Sequence, residues 1–242
     1  NLKVLFLYTY GILGGVCTQL YHRFKGMSDI VDLEIHCGFR NDYGISDMLS
    51  PYAKLHFGLN ENNTIKLVNK SRFDIIVVID SEEYINAVRK SSHKGLVFVE
   101  VHTSIDKNLK YLSKLEKDDL DAFIVVSQYI NKKINHFVSE AVINKPVLTF
   151  PNVIDTNLFD HKFLPKRLNP VIGWVGKIDD HKDWKTYFKI CSQIKMSKPN
   201  VEFWIAGGET CSSDLSQEVL SFAEEQDIVS RLRWFDRVEA DK

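Results

Sequence analysis

Several features that would assign a sequence to a class at once are missing from this chain of 242 residues. No apolar run approaches the ~18 residues that a membrane helix needs, and the first residues lack the basic region and cleavage site of a signal peptide. The four cysteines, Cys17, Cys37, Cys191 and Cys211, form no C-x-x-C pair and no disulfide-framework spacing. We therefore expect reduced thiols in a soluble, cytoplasmic protein.

A strong charge bias and a common dinucleotide-binding motif are absent as well. The formal net charge is -1, so no bulk field would recruit nucleic acid or an anionic membrane. The motif G-x-G-x-x-G is missing, which counts against an NAD enzyme. We expect no metal, no cofactor and no nucleic-acid partner.

What the sequence does contain is an alternation of short apolar runs and helical patterns. Strands are predicted at Lys3–Tyr8, Val31–His36, Asp74–Asp80, Leu96–His102, Ala122–Val126 and Val147–Phe150. Helices are predicted near Gly15–Lys25, Asn62–Ser71, Glu82–Lys90, Lys107–Lys117 and Gln128–Val138. This alternation is typical of a doubly wound parallel sheet with helices on both faces. The stretch Asn41–Asn63, with scattered Gly, Pro and Asn, is predicted to be a long surface loop.

A second alternation begins after the aperiodic segment Asp155–Pro170, which we interpret as a linker. Its predicted strands and helices are Val171–Val175, Trp184–Met196, Val201–Ala206, Asp214–Glu225 and Arg231–Phe235, in that order. We therefore predict two domains, residues 1–165 and 166–242. Three strands are too few for a complete Rossmann-like unit, so we expect the second domain to be incomplete.

The segment that opens this second alternation has the pattern of a phosphate site. Its first strand ends at Gly176, and Lys177 and Lys182 come before the next helix. The following strand ends at Gly207–Gly208. A helix N-terminus favours anions, and a glycine lets a ligand approach the backbone. Alternatively, Lys177 and Lys182 are ordinary surface lysines and Gly207–Gly208 forms a plain turn.

Four positions in the first domain lie at or just after the ends of predicted strands. Gly14–Gly15 opens the first helix and could expose backbone N–H groups to a phosphate, or could simply form a tight turn. His102 ends a strand, where open α/β sheets bind ligands, but could equally be a satisfied capping histidine. Asp80 could line the acceptor side with Ser104, or cap the helix that follows it. Ser127 precedes a helix and is predicted to be its N-cap.

Taken together, these motifs resemble the retaining sugar-nucleotide glycosyltransferases of family 4. The family pattern V-G-R-x-x-x-x-K-G is matched by V-G-K-I-D-D-H-K-D, so Lys177 takes the arginine position and Asp183 the final glycine. The family signature P-N-G-[IV]-D-x-x-x-F is matched by P-N-V-I-D followed by Phe159. Val153 replaces its glycine, which indicates either a negative φ there or some backbone strain. The similar motifs run in the family's order along nearly the whole chain.

The resemblance implies a GT-B fold, with two Rossmann-like doubly wound domains, and a role for each motif. His102 would be the catalytic residue near the transferred sugar, and Gly15, Lys177 and Lys182 would bind the donor diphosphate. The remaining cleft and nucleotide-edge positions would be Gly14, Ser127, Gly176, Gly207 and Gly208. Asn152 and Asp155 would tie the hinge through side chain–backbone hydrogen bonds.

The implied activity is transfer of a hexosyl group, with retention, from a nucleotide-diphosphate sugar to a glycan, lipid-linked or protein acceptor. A UDP-sugar is the leading candidate for the donor. The glutamate pair by which the family contacts donor sugar and ribose has no counterpart before Lys242. Two alternatives stay open: a nucleotide-sugar 2-epimerase of the same fold, and a non-catalytic binding or scaffold subunit. The second is encouraged by the replacement of family residues at Lys177, Val153, Asp183 and Asp236.

The segment Lys107–Lys117 suggests a weak contact with the inner face of a membrane. Its lysines recur at helical spacing beside a stripe of Leu109, Leu112 and Leu115. Basic amphipathic helices bind anionic bilayers. The alternative is a surface helix whose leucines simply pack on the sheet.

Overall fold

The structure is a computed structural model. It describes residues 1–156, 169–176, 178, 182–207 and 213–235. The chain divides into two compact units, Asn1–Thr156 and Asn157–Lys242. The boundary that the sequence predicts, between residues 165 and 166, lies outside the described residues.

The first unit is built on a seven-stranded parallel sheet with the order β5-β3-β1-β6-β7-β8-β9. These strands are β1 Leu2–Tyr8, β3 Leu33–Gly38, β5 Lys54–His56, β6 Ile75–Ile79, β7 Leu96–Val101, β8 Ala122–Val125 and β9 Val147–Thr149. The predicted parallel sheet is therefore confirmed. Its strands are apolar on both sides because helices cover both faces.

Six helices cover this sheet unevenly. They are α1 Gly15–Met27, α2 Ser46–Leu49, α3 Glu61–Ser71, α4 Glu82–Lys90, α5 Asp106–Leu109 and α6 Gln128–Ile134. Helices α1 and α2 bury side chains such as Phe24 and Leu49 against Phe6 on one face. Helices α3 to α6 bury theirs on the opposite face, around Leu5 and Val78. Alternate residues of each strand thus belong to different cores.

The long surface loop predicted for Asn41–Asn63 is wrong. The segment contains β4 Asn41–Tyr43, α2, β5 and the start of α3. Strand β4 pairs in parallel with β2, Tyr10–Ile12, in a separate two-stranded ribbon. Ile45 and Leu49 are fully buried here. Isolated apolar residues between glycines show no clear period, so only their tertiary contacts reveal the structure.

The helix predicted at Lys107–Lys117 is also wrong as one continuous element. Four residues of α5 pass into a 3₁₀ helix, Lys110–Lys114. Leu109, Leu112 and Leu115 are buried in the core. The alternative in which the leucines pack on the body of the protein is the one that the structure supports.

The second unit contains a three-stranded parallel sheet with the order β10-β11-β12. Its elements are β10 Val171–Val175, α7 Trp184–Ser197, β11 Glu202–Ala206, α8 Ser213–Glu225, the 3₁₀ helix Val229–Arg231 and β12 Leu232–Phe235. Trp184, Phe188 and Phe203 lie in its buried core. Each predicted element of this unit is found within two residues of its predicted ends.

Two expectations about the chain as a whole can be checked on the described residues. Cys17, Cys37 and Cys191 are free, buried thiols, whereas Cys211 lies outside the described residues. Among the described helices, none has the length and apolar character required to span a bilayer.

Candidate functional site

A cleft of about 730 Å³ opens in the first unit beyond the carboxyl ends of β1, β6 and β7. Open α/β sheets bind ligands at this edge because loops and helix N-termini converge there. Sequence-predicted residues that line the cleft are Gly14, Gly15, Asp80, His102 and Asn152. The tertiary structure therefore gathers five candidates from distant parts of the chain at one place.

The glycine pair begins helix α1 at the cleft. Gly14 is the N-cap in an extended conformation (φ -179°), without a side chain to cap the first turn, and that turn has no acidic residue. A Cβ on Gly15 would meet nothing within 4 Å, and neither glycine has a positive φ. A tight turn therefore does not require glycine here. What glycine does provide is open access to the first-turn N–H groups.

His102 is anchored by a buried carboxylate that the sequence analysis missed. Its Nε2 lies 2.7 Å from Oε1 of Glu100, whose side chain is 0% exposed. Arg23 on α1 holds the same carboxylate with two bonds, of 2.7 and 2.8 Å. A lone glutamate inside the apolar run V-F-V-E-V was the available signal, since a buried charge needs a partner.

The bonds among Arg23, Glu100 and His102 fix the charge of Glu100 and the tautomer of His102. Burial by itself raises the pKa of Glu100, but the bonds from Arg23 and His102 outweigh it and hold the pKa at about 2. Because Glu100 is ionised, the Nε2–H of His102 donates to it. In the neutral ring Nδ1 is then the acceptor nitrogen. His102 thus has a hydrogen-bond partner for Nε2 and also forms part of the cleft wall, with 10% of its side chain exposed.

Asp80 holds the backbone beside His102 in place. Its carboxylate accepts the N–H groups of His102 and Thr103 at 3.2 Å, and its own φ is +45°, in the left-handed region. Burial raises the pKa of Asp80 to about 6, against the lowering effects of His102 and these bonds. Of the two alternatives for Asp80, the one in which it caps α4 is wrong, because Ser81 is the N-cap and accepts the N–H of Tyr84.

Ser127 and Asp155 lie outside the lining of this cleft. Ser127 caps α6 as predicted, its Oγ accepting the N–H of Ile130 at 3.2 Å. The Asp155 carboxylate forms an ion pair of 2.8 Å with Lys25 on α1. Side-chain charge thus ties Asp155 to α1, and the side chain–backbone hydrogen bonds expected for Asn152 and Asp155 stay a prediction. Val153 avoids a positive φ, one of the two alternatives that its replacement of glycine indicated.

In the second unit, Gly176 and Gly207 meet at the carboxyl ends of β10 and β11. Gly207 has φ +154°, and a Cβ there would overlap the carbonyl oxygen of Gly176. Close backbone contact therefore requires glycine at position 207. Lys177 and Gly208 lie outside the described residues.

Lys182 is exposed and directly precedes Asp183, the N-cap of α7. Asp183 has a left-handed φ of +51°, and its side chain accepts the N–H of Thr186 at 3.4 Å. Glycine adopts this conformation without strain, and aspartate adopts it more readily than most other residues. In the described part of the chain no group of three potential ligands could hold a metal ion.

Neither a protein-family model nor a curated protein sequence matches this chain. Among solved structures, Anabaena Alr3699/HepE in complex with UDP and glucose matches with a TM-score of 0.76 at 16% identity, covering 99% of this chain and 70% of that one. S. aureus TarM in complex with fondaparinux, α-GlcNAc-glycerol and UDP matches with a TM-score of 0.73 at 11% identity, covering 98% and 78%. A UDP-N-acetylglucosamine 2-epimerase matches with a TM-score of 0.62 at 10% identity, covering 99% and 70%.

At these identities the likeness concerns the fold. The parallel-sheet α/β architecture matches that of GT-B glycosyltransferases, and the smaller three-stranded sheet fits an incomplete second domain.

Proposed function

We propose that this chain is a glycosyltransferase that moves a hexosyl group from a nucleotide-diphosphate sugar, with a UDP-sugar as donor, to an acceptor hydroxyl with retention. The observation that carries the proposal is the cleft at the carboxyl edge of the first sheet, where His102 and the uncapped start of α1 lie together. The HepE and TarM structures with UDP make this donor class the natural one to test.

The donor diphosphate requires positive charge where the glycosidic bond breaks. Negative charge grows on the leaving diphosphate in the transition state, and fixed donors stabilise that change without reorganising. The first-turn N–H groups at Gly15 would supply backbone donors. Lys177 and Lys182 would supply cations, which act as point charges where arginine would bind with two parallel bonds.

His102 would act on the sugar. Its Nε2 is committed to Glu100, so Nδ1 is the atom that would accept a hydrogen bond from a sugar hydroxyl. The hydrogen bond from Nε2 to the ionised Glu100 keeps this orientation, since rotation of the ring would break a charge-assisted bond. Asp80 would serve as a positioning residue because it binds the His102 backbone.

Calorimetric titration of the chain with UDP tests the donor assignment. We expect Lys182→Ala to weaken binding by roughly 1.5–3 kcal/mol, the range for a hydrogen bond to a charged group. Lys189→Ala, an exposed lysine further along α7, is the matched control and should bind UDP normally. Equal affinities for the two variants would refute the role of Lys182.

The epimerase is the second candidate, because an enzyme of that activity shares the fold. Incubation with UDP-N-acetylglucosamine, with and without added acceptors, separates the two reactions. A 2-epimer formed without any acceptor would favour the epimerase, whereas acceptor-dependent release of UDP would favour the transferase.

A further inference from the structure

One wall of the cleft carries lysines. Lys107 on α5, and Lys110 and Lys114 on the 3₁₀ helix, all line it, whereas Lys117 lies outside. The wall is rigid because Leu109 and Leu112, between these lysines, are fully buried. The lysines are thus presented towards the cleft from a segment anchored in the core.

The acidic residues around this wall are engaged elsewhere. Asp106 forms an ion pair of 2.6 Å with Lys133, and Glu82 pairs with Lys114 at 2.8 Å. Within the described residues Lys107 and Lys110 have no ion-pair partner. They are also exposed and lie three residues apart, a spacing that places side chains on one side of a helix. Two uncompensated positive charges therefore face one ligand space.

The Asp80 carboxylate does not offset this charge fully. It lies at the floor of the same cleft, where its oxygens already accept two backbone N–H groups. The remaining carboxylate of the region, Glu100, is neutralised by Arg23. The cleft thus keeps a surplus of positive charge at the wall formed by Lys107 and Lys110.

We propose that the acceptor carries a phosphate group and that Lys107 and Lys110 form the subsite that binds it. A phosphate monoester has a charge of about -1.5 to -2 at neutral pH, which two lysines match and a single carboxylate would not. Lysine ammonium groups tolerate different orientations of the phosphate, so the sugar or alcohol beside it can be placed by the rest of the cleft. This inference rests on the proposed transferase function, which supplies the need for an acceptor.

Such a phosphate could be borne by a soluble glycan or by a lipid, and both share the chemistry of this subsite. The soluble arm of the test uses glucose 6-phosphate and, as its uncharged counterpart, glucose. The titrations are followed by NMR with UDP at saturation, so that the donor diphosphate site is occupied. They are repeated without UDP.

We expect glucose 6-phosphate to bind more tightly than glucose, and the double variant Lys107→Gln/Lys110→Gln to lose roughly tenfold in affinity, since exposed ion pairs are individually weak. Lys117→Gln, outside the cleft, is the matched control and should bind normally. Arginine at both positions should restore binding. Glu82→Gln, which releases Lys114 from its ion pair, should strengthen it.

The lipid arm uses sedimentation with vesicles that contain phosphatidic acid, a phosphate monoester, and with vesicles of phosphatidylcholine. Binding to phosphatidic acid that depends on Lys107 and Lys110 supports a lipid-borne phosphate. The same dependence seen with glucose 6-phosphate and not with vesicles supports a soluble one. If the protein binds UDP normally but prefers the charged probe in neither arm, the phosphate subsite is overturned and the donor proposal stands. Lysine-dependent binding of glucose 6-phosphate without any binding of UDP overturns the donor proposal instead and supports the subsite.

Discussion

Two histidine–glutamate pairs lie on opposite faces of the same sheet, and they differ in what surrounds them. His102 contacts Glu100 at 2.7 Å, and His36 contacts Glu34 at 2.8 Å. Glu100 is in register with Ile79, on the α1 face, while His36 pairs with Leu5 on the other face. The two pairs are chemically alike, so their chemistry alone does not identify a site.

Their surroundings distinguish them. Glu100 is fully buried and bound by Arg23, and the chain beyond it enters the cleft. Glu34 is 22% exposed and contacts Lys54 at 2.6 Å. His36 also bonds to His56 at 2.8 Å, on the edge strand β5, and neither histidine lines the cleft. A histidine becomes a candidate for function here because its strand ends at the ligand-binding edge.

The two histidine–glutamate pairs should differ most in how much free energy of unfolding is lost when the glutamate is removed. Glu100→Ala leaves the largely buried Arg23 without its carboxylate partner, and loss of one partner of a buried pair costs about 3–5 kcal/mol. Glu34→Ala should cost less because Glu34 is itself 22% exposed and its partner Lys54 reaches solvent. Urea denaturation of both variants measures the free energies of unfolding. Similar losses would mean that the two pairs are equivalent as structural elements.

The next comparison concerns turnover. We expect His102→Ala to lower turnover in the proposed reaction by roughly 10²–10³-fold, as for a group that stabilises the transition state, with little change in donor affinity. His36→Ala should lower stability while the folded protein keeps its turnover. Kinetics normalised to the folded fraction decide this. An unfolding defect in His102→Ala with normal specific activity would make both histidines structural.

The pH dependence of stability should have opposite signs near the two pairs. The pKa of Asp80 is raised to about 6, so its contribution is complete below the unfolded value and is lost as the pH rises through 6. The effect amounts to at most about 3 kcal/mol, from 1.36 kcal/mol for each pH unit of the shift. The free energy of unfolding of the unmodified protein should therefore rise as the pH falls from 7 to 5, and Asp80→Asn should abolish that rise. An unchanged pH profile in the variant would contradict it.

The smallest effect is expected at His56. Burial, together with the charges of His36 and Lys54, lowers the pKa of His56. Stability from this group is therefore present above its unfolded pKa and is lost as the pH falls below that value. His56→Gln should flatten this decline near pH 6, in the direction opposite to Asp80→Asn. Parallel thermal denaturation series for the two variants would show whether the slopes are opposed.

The sequence by itself determined most of the secondary structure and the order of the elements. Hydrophobic period is a local property, so β1, β10 and α4 could be predicted nearly to the residue. Strand-end positions such as Gly15 and His102 could also be predicted, because parallel strands must end at a common edge. Ser127 as an N-cap is equally local, since its partner is three residues away.

Only the tertiary structure decided which groups meet. Arg23 and Glu100 are 77 residues apart, and nothing in either neighbourhood specifies the other. The same is true of Asp80, which lies beside Ser81 in sequence but binds the backbone of His102 in space. The lysines of the cleft wall read as one amphipathic helix until the buried leucines and the 3₁₀ turn set their direction. Local pattern determines the elements, and long-range packing determines the site, because the energy that places these side chains comes from partners distant in sequence.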